Sequence, residues 1–305
     1  MDLTAALRHS GVLDRDETAD LTPLRGGYHN DVSLLRSKHG RFVAKHFVAG
    51  STNPLFPQLP RAEFAALTIL RGLGVAPQPI ALVPAVESRD LLVYEFVEGV
   101  AWRSDGETDG DAAAIGALFA AVHSIDGSAA TAAGLRALPM HPVEVLAQAA
   151  TLFDAAGHQA CTTVPTPAAE TFAPTLVHTD CGPGNIIVGP DSSGRQRPVL
   201  IDWQCPGVGD PVEDLANFTS PAIQILYGLP PLGDADIAAF LDAYAATCMT
   251  DATVERFHRL RGPYHLRLAA YCAYRRHELR ASNPEVAALY DIALRAERSL
   301  LESLR

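Results

Sequence analysis

Hydrophobic and polar positions alternate with a period of two through the first third of the chain, a pattern typical of antiparallel strands. Five segments predict strands in this way: 20–27, 30–37, 41–48, 77–86 and 90–99. Between the third and the fourth, leucine and phenylalanine recur at helical spacing over 61–74, which ends in a glycine. The N-terminal third is therefore predicted to be a small sheet with one helix packed on it.

Beyond the first third the period changes to that of helices. Six segments predict helices: 111–126, 142–157, 211–227, 234–248, 252–281 and 284–303. Two short apolar strands, 185–189 and 198–203, flank a turn among them and predict a β-hairpin. The pattern favours an α+β protein with a strand-rich lobe at 1–98 and a largely helical lobe with one hairpin at 99–305, joined by a connector near 95–105.

The composition indicates a well-buried core and reduced cysteines. With 305 residues, 48% of them hydrophobic, the chain is long enough for one large domain or two lobes. Its five cysteines form no CxxC pair and are odd in number, which argues against a disulfide framework or a zinc site. No run approaches the roughly 18 apolar residues of a membrane span, and acidic residues stand near the N-terminus where a signal peptide needs basic ones. We therefore expect a soluble, cytoplasmic protein.

The net charge of −11 is spread unevenly along the chain. Residues 1–98 carry 10 basic against 11 acidic side chains, whereas residues 99–305 carry 14 against 24. An acidic surface disfavours nucleic acid, which needs a basic footprint. It suits a cationic small substrate in the second lobe, although a solvated acidic surface is the commoner explanation.

A loop rich in glycine and proline carries three polar side chains between two apolar segments. In LVHTDCGPGNIIV (176–188) these are His178, Asp180 and Asn185. The predicted hairpin brings the start of its first strand beside the end of its second, so Asn185 and Asp202 should converge with Asp180 nearby. Two oxygen ligands with a further carboxylate describe a Mg²⁺ site beside a base. A hydrogen-bonded turn would show the same spacing, so spacing alone leaves both interpretations open.

One of the two lysines lies where an ammonium group is costly. Lys38 is in a predicted turn, but Lys45 is in a strand expected to be half buried, and every other basic side chain is one of 22 arginines. The natural partner of Lys45 is Glu63, near the start of the following helix. The pair is either a structural ion pair or a positive charge, oriented by a carboxylate, that holds phosphate groups. Gly26 and Gly27, in the turn before the lysine strand, would let backbone amides approach phosphate oxygens, although most such turns are only turns.

Taken together, these residues resemble a known fold family. The glycine turn, strand lysine, helix glutamate, loop of His, Asp and Asn, and later Asp202 follow the order of protein-kinase-like enzymes. They look most like the small-molecule branch, the aminoglycoside phosphotransferases and choline kinase-like enzymes. The loop is similar to that branch's His-x-Asp-x-x-Pro-x-Asn, and LIDWQCPGVGDPVEDLANF (200–218) to its metal-binding Asp followed by Gly-Asp-Pro-x-x-Asp-Leu-Ala. LFAAVHSID (118–126) resembles its helix end, and the resemblance spans about residues 20–220.

The resemblance implies an ATP- and Mg²⁺-dependent phosphotransferase acting on a hydroxyl of a small molecule, with ATP between the lobes. The implied nucleotide-binding residues are Gly26, Gly27, Lys45, Glu63 and, in the connector, Glu95, Phe96 and Val97. Asn185 and Asp202 would bind Mg²⁺, and Asp180 would orient or deprotonate the attacking hydroxyl.

Further titratable residues near these motifs are predicted to be structural: His123, His178, Cys181, Cys205, Asp210 and Asp214. The histidines suit bracing roles, and the cysteines have no basic partner. The two aspartates are expected to brace the catalytic loop, and Asp214 also to cap the helix that begins near it.

Departures from the protein-kinase pattern argue against a regulated protein kinase. Asp202-Trp203-Gln204 stands in place of Asp-Phe-Gly, Thr179 replaces the catalytic-loop arginine, and no Ala-Pro-Glu segment follows. One alternative is a nucleotide-binding sensor or scaffold without transfer activity, and another is a metal-dependent hydrolase. A decayed enzyme would usually lack one of the expected polar residues, and a hydrolase would need more carboxylate or histidine ligands near Asp180.

The acceptor is expected to bind to the helices after about residue 210, chiefly 234–281. Six acids there could meet an amine: Asp234, Asp236, Asp242, Asp251, Glu255 and Glu278. Six arginines among them leave room for an anionic or neutral alcohol: Arg256, Arg259, Arg261, Arg267, Arg275 and Arg276. The aromatic residues of 265–279 could face a choline-like cation, although burial in the core is the more usual place for them. No feature of the sequence indicates an oligomeric state.

Overall fold

Five antiparallel strands form the N-terminal sheet, as the two-residue period predicts. The computed structural model describes residues 2–24, 30–48, 53–103, 112–158, 164–168, 170–191, 193–248 and 252–304. The strands are β1 Asp20–Pro23, β2 Asp31–Ser37, β3 Gly40–His46, β4 Pro79–Val86 and β5 Arg89–Glu95. They lie in the order β1-β2-β3-β5-β4, so β3 is central, and its Lys45 stands opposite Val32 on one side and Leu92 on the other.

Helix α2, Pro60–Ile69, packs on this sheet and is shorter than predicted. Its residues Ala66 and Leu67 are buried in the main hydrophobic core. The helix stops early because the chain turns at Gly72 and Gly74, which have φ of +79° and +68° and lie in the left-handed region that an α-helix excludes.

A short N-terminal helix, α1 Leu3–His9, is absent from the prediction. Asp2 caps it by accepting a 2.8 Å hydrogen bond from the amide of Ala5. Ala6 and Leu7 are fully buried in a satellite core against the sheet. A helix this short shows little periodicity and owes its stability to tertiary packing.

Helices make up most of the described C-terminal residues. Their bounds are α3 Ala112–His123, α4 Gly127–Ala132, α5 Pro142–Ala155, α6 Val212–Thr219, α7 Pro221–Leu226, α8 Asp234–Cys248, α9 Ala252–Leu279 and α10 Pro284–Ser303. The helix predicted over 211–227 is two helices, because Ser220 separates α6 from α7. The Oγ of Ser220 accepts a 3.1 Å hydrogen bond from the amide of Ile223, and Pro221 takes the first position of α7.

The predicted β-hairpin consists of β8 Ile186–Pro190 and β9 Gln196–Leu200. Three shorter strands accompany it: β6 Val100–Ala101, which pairs with β8, and β7 Thr175–Val177, which pairs with β10 Gly207–Gly209. The connector between the lobes passes so close to β8 that a Cβ on Gly189 would lie 1.8 Å from the carbonyl oxygen of Glu98. The hairpin therefore abuts the connector directly, backbone against backbone.

The predicted α+β class and two-lobed arrangement are confirmed. One hydrophobic core takes in residues of both lobes, such as Leu92 from the sheet and Phe218 from α6. The predicted boundary at residues 98 and 99 lies between β5 and β6 and stays a prediction. Among the described residues, no helix is both long and apolar enough to span a bilayer.

Candidate active site

Lys45 lies in a buried polar cluster between the sheet and the hairpin, and only 2% of it is exposed. Its Nζ is 2.7 Å from Oε2 of Glu63 and 2.5 Å from Oδ1 of Asp202. Burial alone would lower the pKa of Lys45, but the carboxylates of Asp202 and Glu63 hold it well above its ordinary value. The predicted partner is present, and Asp202 is a second partner that the sequence did not indicate.

Glu63 is positioned by the first turn of α2. Pro60 occupies the first helical position, where its missing N–H costs nothing. The carboxylate of Glu63 is 1% exposed and also accepts a hydrogen bond from the backbone amide of Trp203. A carboxylate this deeply buried needs hydrogen-bond donors. The bond from Trp203 joins α2 to the residue that follows Asp202.

The loop between β7 and β8 is braced by Asp214, as predicted. The carboxylate accepts 2.7 Å hydrogen bonds from the backbone amides of His178 and Thr179, and its Oδ2 is 3.1 Å from Nε2 of His123. Burial alone would raise the pKa of Asp214, but His123 and the loop amides lower it overall. Asp214 is therefore an ionised acceptor in the interior of the C-terminal lobe.

The capping role predicted for Asp214 is wrong: the N-cap of α6 is Pro211, and it is Asp210 that accepts from the first helical amide. Oδ1 of Asp210 accepts a 3.0 Å hydrogen bond from the amide of Val212, where α6 begins, and Oδ2 pairs with Arg256. The reason is position along the chain: Asp210 precedes the helix, whereas Asp214 lies inside its first turn. Asp210 therefore braces the helix rather than the loop.

His178 is a structural residue, as predicted. Its Nε2 donates to the carbonyl oxygen of Ile201 over 3.0 Å, and its Nδ1 accepts from the amide of Asp180 over 3.2 Å. The ring packs edge-on against Trp203, with 4.5 Å between centroids. Burial lowers the pKa of His178 and keeps it neutral, so a single tautomer satisfies both hydrogen bonds.

Thr179 has a left-handed backbone, with φ of +70°, which is rare for a β-branched residue. Its Oγ1 donates to the carbonyl oxygen of Cys205 over 2.9 Å, and its own carbonyl accepts from Nδ2 of Asn217 over 2.5 Å. The left-handed conformation costs about 1–2 kcal/mol and persists because these contacts hold it. It turns the chain immediately before Asp180.

Asp180 and Asn185 are joined within the loop. Nδ2 of Asn185 donates to the carbonyl oxygen of Asp180 over 2.8 Å, which leaves Oδ1 of Asn185 for another partner. Nε2 of Gln204 donates to Oδ2 of Asp180 over 2.9 Å. Burial, together with the charge of Asp202, raises the pKa of Asp180 to about 7. Such a value suits a general base that works near neutral pH.

Asp202 follows the end of β9 in a left-handed conformation, with φ of +60°. The amide of the preceding Ile201 donates to the carbonyl oxygen of Asn185 over 2.9 Å. This bond keeps Asp202 beside Asn185, which is the convergence that the hairpin predicts. The Asp202 side chain is 35% exposed, so part of the carboxylate faces solvent while Oδ1 pairs with Lys45.

The oxygens of Asn185 and Asp202 fit a magnesium ion. Both are hard donors, and among the described residues no group donates a hydrogen bond to Oδ1 of Asn185 or to Oδ2 of Asp202. Mg²⁺ usually takes few protein oxygens and completes its shell with water and phosphate. Within the described ranges, no group of three or more His, Cys, Asp and Glu side chains is arranged to hold a metal. A magnesium ion here would take its remaining oxygens from water and phosphate.

Of the remaining residues predicted to bind nucleotide, Gly26 and Gly27 lie outside the described residues. In the connector, the amides of Glu95 and Phe96 already donate to backbone carbonyls of the N-terminal lobe, over 2.9 and 3.0 Å. In the part of the chain that the structure describes, the amide of Val97 has no acceptor. Of these three predicted connector residues, Val97 is therefore the one whose N–H is available to a ligand.

The other residues predicted to be structural are buried. Nδ1 of His123 is 3.0 Å from the hydroxyl of Tyr244, so both of its ring nitrogens have partners. Cys181 and Cys205 are fully buried, and burial raises the pKa of both thiols well above the usual value. Thiols in this state are inert and serve as packing groups.

Sequence reasoning missed the role of several residues around Asp180. Gln58 donates to Gln204, which donates to Asp180, and the only sign of this in the sequence is that Gln204 replaces the glycine of Asp-Phe-Gly. The ring of Tyr227 lies across the loop, where a Cβ on Gly182 or Gly184 would come within 2.3 Å of it. The two glycines were recognised as loop residues, but their small size also lets an aromatic ring cover the loop.

Most arginines of the predicted acceptor region are paired with carboxylates. The ion pairs are Arg256–Asp210, Arg259–Glu170, Arg267–Glu213, Arg275–Glu278 and Arg276–Asp291. A guanidinium that already has a carboxylate partner is less available to an anionic acceptor. Among the aromatic residues of this region, Tyr271 is buried as expected. Asp251 lies outside the described residues.

A family model described as "Phosphotransferase enzyme family" matches residues 20–258. That range contains every residue predicted to bind nucleotide or metal or to act in catalysis. None of the curated proteins matches the sequence at a significant level.

Solved structures share the fold at low sequence identity. A candidate aminoglycoside phosphotransferase from Ralstonia eutropha has a TM-score of 0.71 at 14% identity, over 99% of this chain and 97% of that one. Plasmodium vivax ethanolamine kinase has a TM-score of 0.69 at 12% identity, over 99% and 89%. A spectinomycin phosphotransferase, in complex with ADP and spectinomycin, has a TM-score of 0.60 at 14% identity, over 97% of each chain. The protein-kinase-like fold that the sequence resemblance implied is therefore confirmed.

Proposed function

The chain belongs to the phosphotransferase enzyme family, and on that premise we propose that it transfers the γ-phosphate of ATP to a hydroxyl group of a small molecule, with Mg²⁺ as cofactor. One observation carries the proposal: the polar residues predicted from separate motifs lie in one cluster between the lobes. These residues are Lys45, Glu63, Asp180, Asn185 and Asp202. A buried carboxylate such as Asp180, whose pKa burial raises to about 7, is typical of a functional site when it lies among such residues.

In the proposed mechanism the side chains position and neutralise charged groups. Lys45, held between two carboxylates, presents a fixed positive charge to phosphate oxygens. Asn185 and Asp202 would hold the magnesium ion. When bound, the ion would neutralise charge on the phosphates. Oδ1 of Asp180, the oxygen that does not contact Gln204, accepts the proton of the attacking hydroxyl.

We propose that the acceptor carries an amine as well as a hydroxyl. The C-terminal lobe has 24 acidic against 14 basic side chains, and most arginines of the acceptor region are already paired with carboxylates. One protein of the same fold is an ethanolamine kinase. An ammonium group would be drawn to such a lobe, whereas an anionic acceptor would be repelled.

The test is ADP release from Mg²⁺-ATP in the presence of matched acceptors. Ethanolamine, choline, homoserine and aminoglycosides would be compared with amine-free alcohols and sugars, with Asp180→Asn as the inactive control. Turnover with amino alcohols alone supports the whole proposal, and turnover with an amine-free alcohol alone rejects the amine. Tight binding of Mg²⁺-ATP without any turnover would favour the sensor or scaffold. Absence of Mg²⁺-ATP binding would overturn the phosphotransferase.

Replacing Lys45 by methionine should weaken ATP binding about 10- to 100-fold, because one hydrogen bond to a charged group contributes about 1.5–3 kcal/mol. The chain offers a matched control in Lys38→Met, since Lys38 is exposed and its ion pair with Asp14 lies at the surface. Titration calorimetry with Mg²⁺-ATP measures both variants. Equal affinities in the two variants would contradict the role of Lys45. Lys45→Met leaves the buried carboxylate of Glu63 without its partner, which could itself destabilise the fold. A double variant with Lys45→Met and Glu63→Gln removes that unpaired charge, so a loss of ATP affinity that persists in it is not caused by misfolding.

A further inference from the structure

A chain of side-chain amides runs from the N-terminal lobe to Asp180. Nδ2 of Asn30, the residue before β2, donates to Oε1 of Gln58. Nε2 of Gln58 donates to Oε1 of Gln204 over 2.5 Å, and Nε2 of Gln204 donates to Oδ2 of Asp180 over 2.9 Å. Three consecutive hydrogen bonds therefore connect the two lobes.

The donor-to-acceptor direction along this series of side-chain amides is set independently at both ends. At one end, an ionised Asp180 can only accept, so Gln204 must donate to it and offer its oxygen to Gln58. At the other end, the backbone N–H of Val48 donates to Oδ1 of Asn30 over 3.2 Å, so Asn30 must present its nitrogen to Gln58. The two ends require the same orientation of every amide, and hydrogen bonds aligned in this way strengthen one another.

Gln58, in the middle of this series of amides, lies in the segment 53–59, which precedes α2. Nδ2 of Asn53 donates to the hydroxyl of Tyr271 in α9 over 2.7 Å. The amide of Leu59 donates to the carbonyl oxygen of Gln204 over 2.9 Å. A segment of the N-terminal lobe is thus fixed to the C-terminal lobe on both sides of Gln58.

We propose that Gln58 and Gln204 are positioning residues, which orient the carboxylate of Asp180 from the N-terminal lobe and direct its Oδ1 to the acceptor hydroxyl. The proposal rests on the proposed function in taking Asp180 as the base. Gln204 occupies Oδ2, and among the described residues no donor bonds Oδ1. A hydrogen bond to an ionised oxygen is about twice as strong as one between neutral groups, so it can fix the plane of the carboxylate.

The kinetic test uses methionine, which is nearly the same size as glutamine but cannot donate. Gln204→Met should lower kcat about 10- to 100-fold and Gln58→Met about 3- to 10-fold, with KM for ATP unchanged within about twofold. The double variant should be no slower than Gln204→Met, because both substitutions break one chain. Gln148→Met is the matched control, since Gln148 contacts Arg267 and not Asp180. An unchanged kcat in Gln58→Met, or additive losses, would overturn the proposal.

A second measurement needs no turnover and separates this proposal from the proposed function. In protein labelled with ¹⁵N-glutamine, the side-chain signal of Gln204 is identified by its absence in Gln204→Met. Asp180→Ala and Gln58→Met should both shift that signal, and Gln148→Met should not. If no acceptor reacts but these shifts occur, the phosphotransferase fails and the amide chain stands. A Gln204 signal unmoved by Gln58→Met overturns the chain whatever the activity.

Discussion

Asp180→Asn is expected to lower kcat by about 10²- to 10⁴-fold and to raise the melting temperature of the protein in the same experiment. The loss of activity follows from removing the group that takes the acceptor proton. The gain in stability follows because the carboxylate of Asp180 is partly buried near the charge of Asp202. A neutral amide of the same shape carries no such repulsion, and it can still accept the hydrogen bond from Gln204.

The raised pKa of Asp180 determines the direction of both effects, on activity and on stability, and the pH range over which each changes. Burial and the charge of Asp202 raise the pKa of Asp180 to about 7 from its ordinary value of 3.8. The folded protein therefore binds this proton more tightly than the unfolded chain, and ionisation of Asp180 destabilises the fold increasingly between pH 3.8 and about 7. Asparagine avoids that cost, so its stability advantage should be largest above pH 7 and vanish below pH 3.8. The kcat/KM of the wild type should fall as the pH drops through about 7.

Initial rates of ADP release and thermal unfolding across this pH range measure both effects. Asp191→Asn is the matched control, because Asp191 lies in the turn of the hairpin and hydrogen bonds from Ser193 lower its pKa. That substitution should leave kcat unchanged and slightly lower the stability, the opposite sign from Asp180→Asn. Turnover of Asp180→Asn near the wild-type rate would remove Asp180 as the base.

The sequence was sufficient to predict the features that depend on a local pattern. The two-residue period located the five strands of the N-terminal sheet, and a hairpin brings its two outer ends together whatever the rest of the fold, so Asn185 and Asp202 could be paired in advance. Lys45 could be singled out because an ammonium group in a buried strand needs a partner. The Lys45–Glu63 pair is 18 residues apart and follows from one strand and the next helix.

The remaining features depend on contacts between residues far apart in the sequence, which a local hydrophobic period does not indicate. Lys45 and Asp202 are 157 residues apart, and Gln58 and Gln204 are 146 apart. Their contacts exist only once the two lobes pack together. The division of roles between Asp210 and Asp214 was misassigned for a related reason: both stand near the start of α6, and only the start at Val212 decides which one accepts from its first amide. Spacing identifies the residues that carry charge, but packing decides which charges meet.

Asp214→Asn is expected to lower the free energy of unfolding by about 2–4 kcal/mol and to reduce kcat in protein that is still folded. Asp214 accepts from the backbone amides of His178 and Thr179 and contacts Nε2 of His123. An amide has one acceptor oxygen and a nitrogen that can only donate, so one buried N–H of the loop loses its partner. The left-handed conformation of Thr179 then loses one of the contacts that hold it, and Asp180, the next residue, is no longer fixed.

Urea unfolding and ADP release at pH 7 measure the two effects. Repeating the unfolding at acidic pH tests whether the ionised carboxylate of Asp214 is their cause. The pKa of Asp214 is lowered overall, so its ionised form stabilises the folded protein above pH 3.8 and this contribution is lost as the pH falls below that value. The difference between wild type and Asp214→Asn should therefore shrink in acid. Asp242→Asn, on the exposed surface of α8, is the control and should change the free energy of unfolding by less than about 0.5 kcal/mol. A change just as small in Asp214→Asn would mean that the loop is held by other contacts, because two buried amides cannot lose a charged acceptor without a larger cost.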